Sequence, residues 1–225
     1  MKKETTLIIR FASIACFLSV VTTIGIHAFF NFNATTFEQR LLLFRDPVYI
    51  FNHWWVIVHC LLVIISMWGF CMVQSKKILG FTGLGFVFFV VFGITEMYRQ
   101  FMVIFYLNGM RQKYIAAKTE DIKLFLANSI ENFGLLTYPL FGLFVFAFGI
   151  GNFFYGLSLV GEKGVSKFVS VLLLIWSAGI FLALGNEFWE WSWLSSFLPH
   201  FNLWYQSFMR ALLGWWLWKM SSQVA

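Results

Sequence analysis

Few residues in this chain can do chemistry, and they fall in telling places. The histidines His27, His53, His59 and His200, and the carboxylates Glu96, Glu187 and Glu190, lie within long apolar runs or at their ends. An ionisable side chain in such a run marks a candidate site, because facing hydrocarbon is unfavourable unless a partner or water reaches it. Glu187 and Glu190 are three apart and share a helix face. Asn52 and His59 are seven apart and share one too. His53 and His59 are six apart and diverge by about 120° around a helix. His59 would lie about 12 Å below the start of its helix, the deepest of the four.

These spacings predict a convergence of Asn52, His59, Glu187 and Glu190, with Thr23 and His27 of the first helix at a similar depth. Such a pocket could hold a cation or a cationic headgroup. His27, His59, Glu187 and Glu190 could together ligate a metal, although no HExxH-type spacing is present. His27 and His59 could be axial ligands of a haem. Glu187 or Glu190 could be a general base with His59 as partner. His27, His53 and His200 also suit an interface, beside Trp54, Trp55 and Trp204. Glu96, Arg99 and Gln100 form a group that can satisfy itself. No Ser-His-Asp or Cys-His order is recognisable, and Gly80, Gly83 and Gly85 open an apolar run without the strand of a phosphate-binding loop.

The elements that must position these groups are membrane helices. Of the 225 residues, 60% are hydrophobic and 12% charged, about half the charge of a soluble domain. The 30 Phe and 11 Trp suit a chain whose solvent is lipid. Six apolar stretches approach the roughly 20 residues that a bilayer needs: residues 7–30, 51–73, 78–97, 134–157, 168–187 and 201–219. They predict an all-α polytopic bundle in a single domain spanning 1–225. The first run is too long for a typical signal peptide and is expected to remain as a helix. Cys16, Cys60 and Cys71 read as small hydrophobes.

The net charge of +6 sits in short basic clusters between apolar runs. It suits orientation and lipid headgroups rather than nucleic acid. Lys2, Lys3, Arg10, Lys76, Lys77, Lys163, Lys167 and Lys219 fall on one side, so both termini are expected in the cytoplasm. The long 98–133 connection opposes this, with Arg99, Arg111, Lys113, Lys118 and Lys123 on the far side. There the third helix is expected to run on to 110, turn at Asn108–Gly109 and return through an amphipathic helix over 120–133; the alternative is an interfacial pair lying flat on the outer leaflet. That helix is capped by Thr119 and buries Ile122, Phe125, Leu126 and Ile130.

Helix packing is expected along stripes of small residues. Gly142, Gly149 and Gly156 recur every seven residues, as do Ser170 and Ser177. Ala12, Cys16, Ser19, Thr23 and His27 line the first helix, and Thr82, Gly85, Gly93, Glu96 and Gln100 the third. The run Tyr138-Pro-Leu-Phe-Gly-Leu, Gly149-x-Gly151, Tyr155-Gly156-Leu and Gly164-x-x-Ser-Lys167 resembles part of small bacterial six-helix integral membrane proteins of uncharacterised function. It covers about residues 130–185. The resemblance implies the topology and nothing else; a bacterial inner membrane is the expected location.

Three functions follow as expectations. The first is an accessory or scaffold subunit packing on other membrane proteins or on itself. The second is a ligand-handling protein with a metal, ion, haem or lipid headgroup in the polar pocket near the outer leaflet. The third is an intramembrane enzyme acting on lipid-borne substrates.

Overall fold

The computed structural model describes residues 2–29, 34–75, 78–189 and 191–224; for 2, 29, 188, 192, 193, 195–202 and 224 it describes only the backbone. Among the described residues there are helices and no strand. In chain order they are α1 Lys2–Phe29, α2 Phe37–Leu42, α3 Pro47–Gln74, α4 Leu79–Phe101, α5 Asn108–Ala116, α6 Glu120–Glu131, α7 Phe133–Ser158, α8 Val165–Trp189 and α9 Ser192–Val224.

Local sequence explains the helix starts. Thr36 forms a capping box with Gln39 ahead of α2, satisfying two backbone donors at once. The Asp46 carboxylate accepts from the backbone N–H groups of Val48 at 2.8 Å and Tyr49 at 3.3 Å. Pro47 follows at the first helical position, where its missing N–H is harmless. This cap starts α3 four residues ahead of the expected 51. Thr119 stands at the N-cap of α6, but its side chain makes no capping bond.

Five helical stretches are long and apolar enough to cross a membrane. The sixth expected span lies in α9, which is 33 residues long. It is not among those five, and Gln206, Ser207 and Arg210 interrupt its apolar run. Six long helices nevertheless close into a ring. In contact order it runs α1, α3, α4, α7, α8, α9 and back to α1, with α8 and α9 touching least among the described residues. The core holds Phe70, Phe89, Phe148, Tyr155, Trp176 and Trp216.

The connection across residues 98–133 is a hairpin of two continuous helices, over Leu79–Ala116 and Glu120–Ser158, of 38 and 39 residues. At 1.5 Å per residue the first is about 57 Å long, against about 30 Å of bilayer core. The chain therefore turns at 117–119, beyond the expected Asn108–Gly109. A π-helical segment at Met102–Leu107 carries the helix through. Beyond it the Arg111 guanidinium donates to Asn108 Oδ1 at 2.9 Å and to the Tyr49 hydroxyl at 3.1 Å, tying α5 to α3.

The amphipathic face of α6 is narrower than expected. Leu126 and Ile130 are buried against Leu41, Leu107 and Met110, while Ile122 and Phe125 are exposed. The apolar residues of α6 span more of its circumference than one neighbouring helix covers.

The glycine seam forms in two of its three places. Gly149 and Gly156 face α8, where Ser177 and Ser170 donate to their carbonyl oxygens at 2.9 and 2.7 Å. A methyl group on Gly156 would meet Leu174 at 2.7 Å, so the close approach requires glycine there. Gly142 faces nothing within 4 Å. One repeat further on it would oppose Leu184, and Leu184 instead borders a cavity.

Candidate functional site

The cavity occupies the end of the ring from which the hairpin extends, and its volume is about 550 Å³. Every helix of the ring contributes to its wall. Apolar residues dominate, among them Phe92, Phe141, Phe144, Phe148, Trp176 and Leu184. The ionisable groups on the wall are His27, His59, Glu96, Arg99 and Glu187, together with the thiol of Cys60.

His59 is buried, at 4% exposure. Its Nδ1 is 2.8 Å from the hydroxyl of Thr22. That hydroxyl lies 3.1 Å from the Ser19 carbonyl and donates to it. Thr22 therefore accepts from His59 Nδ1–H, leaving Nε2 of the neutral ring as an acceptor. The groups expected near His59 are Thr23, His27, Glu187 and Glu190; of these, Thr23 instead donates its hydroxyl to the Ser19 carbonyl of its own helix at 2.8 Å. One residue is 100° of helix, and Thr22 has the angle that faces α3.

A second polar group closes the wall on α4. His53 Nδ1–H donates to Gln100 Oε1 at 2.5 Å, and Gln100 Nε2 donates to Glu96 Oε1 at 2.6 Å. Arg99 donates to the other carboxylate oxygen at 2.5 Å. The spacing 96, 99, 100 puts these three on one helix face. Arg99 also lies against Phe141 and Phe144, 5.4 and 5.3 Å from their centroids. His53, expected at the interface, is buried at 8% exposure. It packs edge-on against Tyr49 at 4.5 Å. A chain of polar side chains thus runs from Arg111 in the hairpin to Arg99 in the cavity wall.

The expected convergence is partial. His59, Glu187 and His27 border one cavity. Glu187 is exposed and accepts from the Tyr138 hydroxyl at 3.0 Å. His27 is exposed at the edge, so His27 and His59 do not form an equivalent pair. Asn52 is buried at 2% exposure, with its Oδ1 unpartnered, and it does not border the cavity. Glu190 and the side chain of His200 lie outside the described residues. Among the described residues no three His, Cys, Asp or Glu side chains are grouped so as to hold a metal ion.

Arg210 went unnoticed in the sequence, although an arginine in the middle of the sixth apolar run was the signal. It is fully buried. Its guanidinium lies 5.6 Å from the centroids of both Phe148 and Trp176, which border the cavity. A second cavity, of about 590 Å³, lies at the opposite end of the ring beside Gln74, Lys163 and Lys219.

No family model, curated protein or solved structure matches this chain.

Proposed function

We propose that this protein is a membrane-embedded ligand-handling protein that takes an amphiphilic small molecule into the cavity of its helix ring. The observation that carries the reading is the cavity itself. It has about 550 Å³ of space, an aromatic wall, and His59, Glu96, Arg99 and Gln100 gathered on its polar side. Apolar lining with a few placed polar groups is the usual make-up of a small-molecule site. Among the described residues α8 and α9 touch least of the ring neighbours, and that seam is the proposed lateral route for a membrane-dissolved molecule.

The experiment is to fill the cavity. Ala183 lies on the wall, and Ala183→Phe adds bulk there. A photoreactive alkyl probe should label the wild-type protein at cavity residues, and Ala183→Phe should lose that labelling while melting as a folded protein. Unchanged labelling in a folded variant removes the reading.

A scaffold role is the second reading, favoured by the hairpin, where Phe105, Leu124 and Phe125 are 64%, 64% and 70% exposed. An enzymatic role has less support. His59 and Glu187 are bonded to Thr22 and Tyr138 rather than to each other.

For topology we propose a bacterial inner membrane with both termini in the cytoplasm. Lys163 and Lys219 beside the second cavity suit a leaflet rich in anionic headgroups. The hairpin then extends on the opposite side.

A further inference from the structure

Arg210 is the least satisfied charge in the molecule as described. Its exposure is 0%, and its Nε, Nη1 and Nη2 have no hydrogen-bond partner among the described residues. A guanidinium carries five N–H donors, and burying a charge is costly unless it is paired. The side-chain contacts of the guanidinium are the rings of Phe148 and Trp176, and the Cys16 thiol lies beside the Arg210 backbone carbonyl. Among the described residues no carboxylate pairs with it. The faces of Phe148 and Trp176 offset part of the cost through cation–π attraction, but they leave the charge uncompensated.

The other charges of the cavity are placed so that this one matters. Glu96 is taken up by Arg99. Glu187 is exposed. The cavity is therefore negative at its exposed rim and positive behind the wall of Phe148, Trp176, His59 and Cys60. In a low-dielectric interior such a difference is felt across several ångströms.

We infer that the cavity selects an anionic amphiphile, a molecule with a carboxylate or phosphate-monoester head, and that Arg210 supplies the counter-charge. The inference rests on the ligand-handling reading above and gives the ligand its sign and orientation. The acid lies against the wall in front of Arg210, where His59 and Cys60 border the cavity. The apolar body lies along Phe92, Phe141, Phe144 and Leu184. Glu187 repels an acid held at the rim and so favours the head-inward orientation.

The test uses the full chain in phosphatidylcholine nanodiscs and a fluorescent long-chain polyene carboxylate, compared with its methyl ester. The wild type should bind the acid at least about tenfold more tightly than the ester, as charge-assisted recognition implies. Arg210→Met should bring the two affinities together without weakening the ester, and Arg210→Lys should keep the preference. If Arg210→Met does not fold, the wild-type ratio together with Arg210→Lys still decides. Equal affinities for acid and ester in the wild type overturn the inference and leave the cavity reading standing. Binding of neither probe overturns the cavity reading itself. Thermal stabilisation by chloride or inorganic phosphate, lost in Arg210→Met and without an acid-over-ester preference, makes this a free-anion site and overturns the amphiphile.

Discussion

Ser177 donates its hydroxyl to the carbonyl oxygen of Gly149 across 2.9 Å. A methyl group on Gly149 would already meet Ile180 and Phe181 at 3.1 Å. Gly149→Leu should therefore lower stability by about 1–3 kcal/mol through overpacking, and Ser177→Ala by about 1 kcal/mol. Gly142→Ala should be neutral or stabilising by up to about 1 kcal/mol, because it faces open space and alanine is the better helix former. Thermal unfolding in detergent compares the three. A loss at Gly142→Ala equal to that at Gly149→Leu would mean that the seam continues past the point where we see it end.

Thr22 and Thr23 provide a sharper comparison, since neighbouring residues of one type have different duties. Thr22→Val removes the partner of His59 Nδ1 and should cost about 1–3 kcal/mol, the range for a buried group left unsatisfied. Thr23→Val removes only a bond within its own helix and should cost less. Equal melting temperatures for the two variants would show that the His59 contact contributes nothing.

That pair also marks what the sequence can and cannot convey. The membrane helices, the hairpin and the Gly149–Ser177 and Gly156–Ser170 rungs follow from apolar length and seven-residue spacing, because those properties belong to one helix at a time. The identity of the His59 partner depends on how α1 is rotated against α3, and rotation is set by packing that no single helix encodes. Asn52 shares a face with His59 yet misses the cavity, since seven residues also carry it about 10 Å along the axis. Arg210 escaped because it lies alone in its run, with no second polar residue at helical spacing to suggest a site.

Gln100 joins two groups that have few alternatives. Gln100→Leu leaves His53 Nδ1 and Glu96 Oε1 without it and should cost about 1–3 kcal/mol for each. The exposed pair of Lys123 and Glu120, at 3.0 Å, is the control. Lys123→Ala should change stability by less than about 1 kcal/mol, as surface ion pairs do. Chemical denaturation of both variants in mixed micelles measures the difference. Similar midpoints would place the Gln100 group in contact with water.

Single cysteines at Lys163 and Lys118, introduced after the native cysteines are removed, should react with an impermeant thiol reagent from opposite sides of sealed membranes. Lys118 is at the hairpin turn and Lys163 at the turn between α7 and α8. Labelling of both from one side would invert or break the proposed arrangement.

The ring closes between its first and last helices, and that sets the timing of assembly. The Ser13 hydroxyl donates to the Gly214 carbonyl at 2.6 Å, and the Cys16 thiol lies 3.1 Å from the Arg210 carbonyl. At about 5–20 residues per second, a ribosome needs roughly 10–40 s between making the two ends of such a contact. During that interval the polar stripe of α1 has no α9 to cover it. Newly inserted chains are therefore exposed to the cell's membrane proteases and insertion chaperones in proportion to how slowly the C-terminal third is translated. A chain stopped before α9 would remain permanently in that vulnerable state.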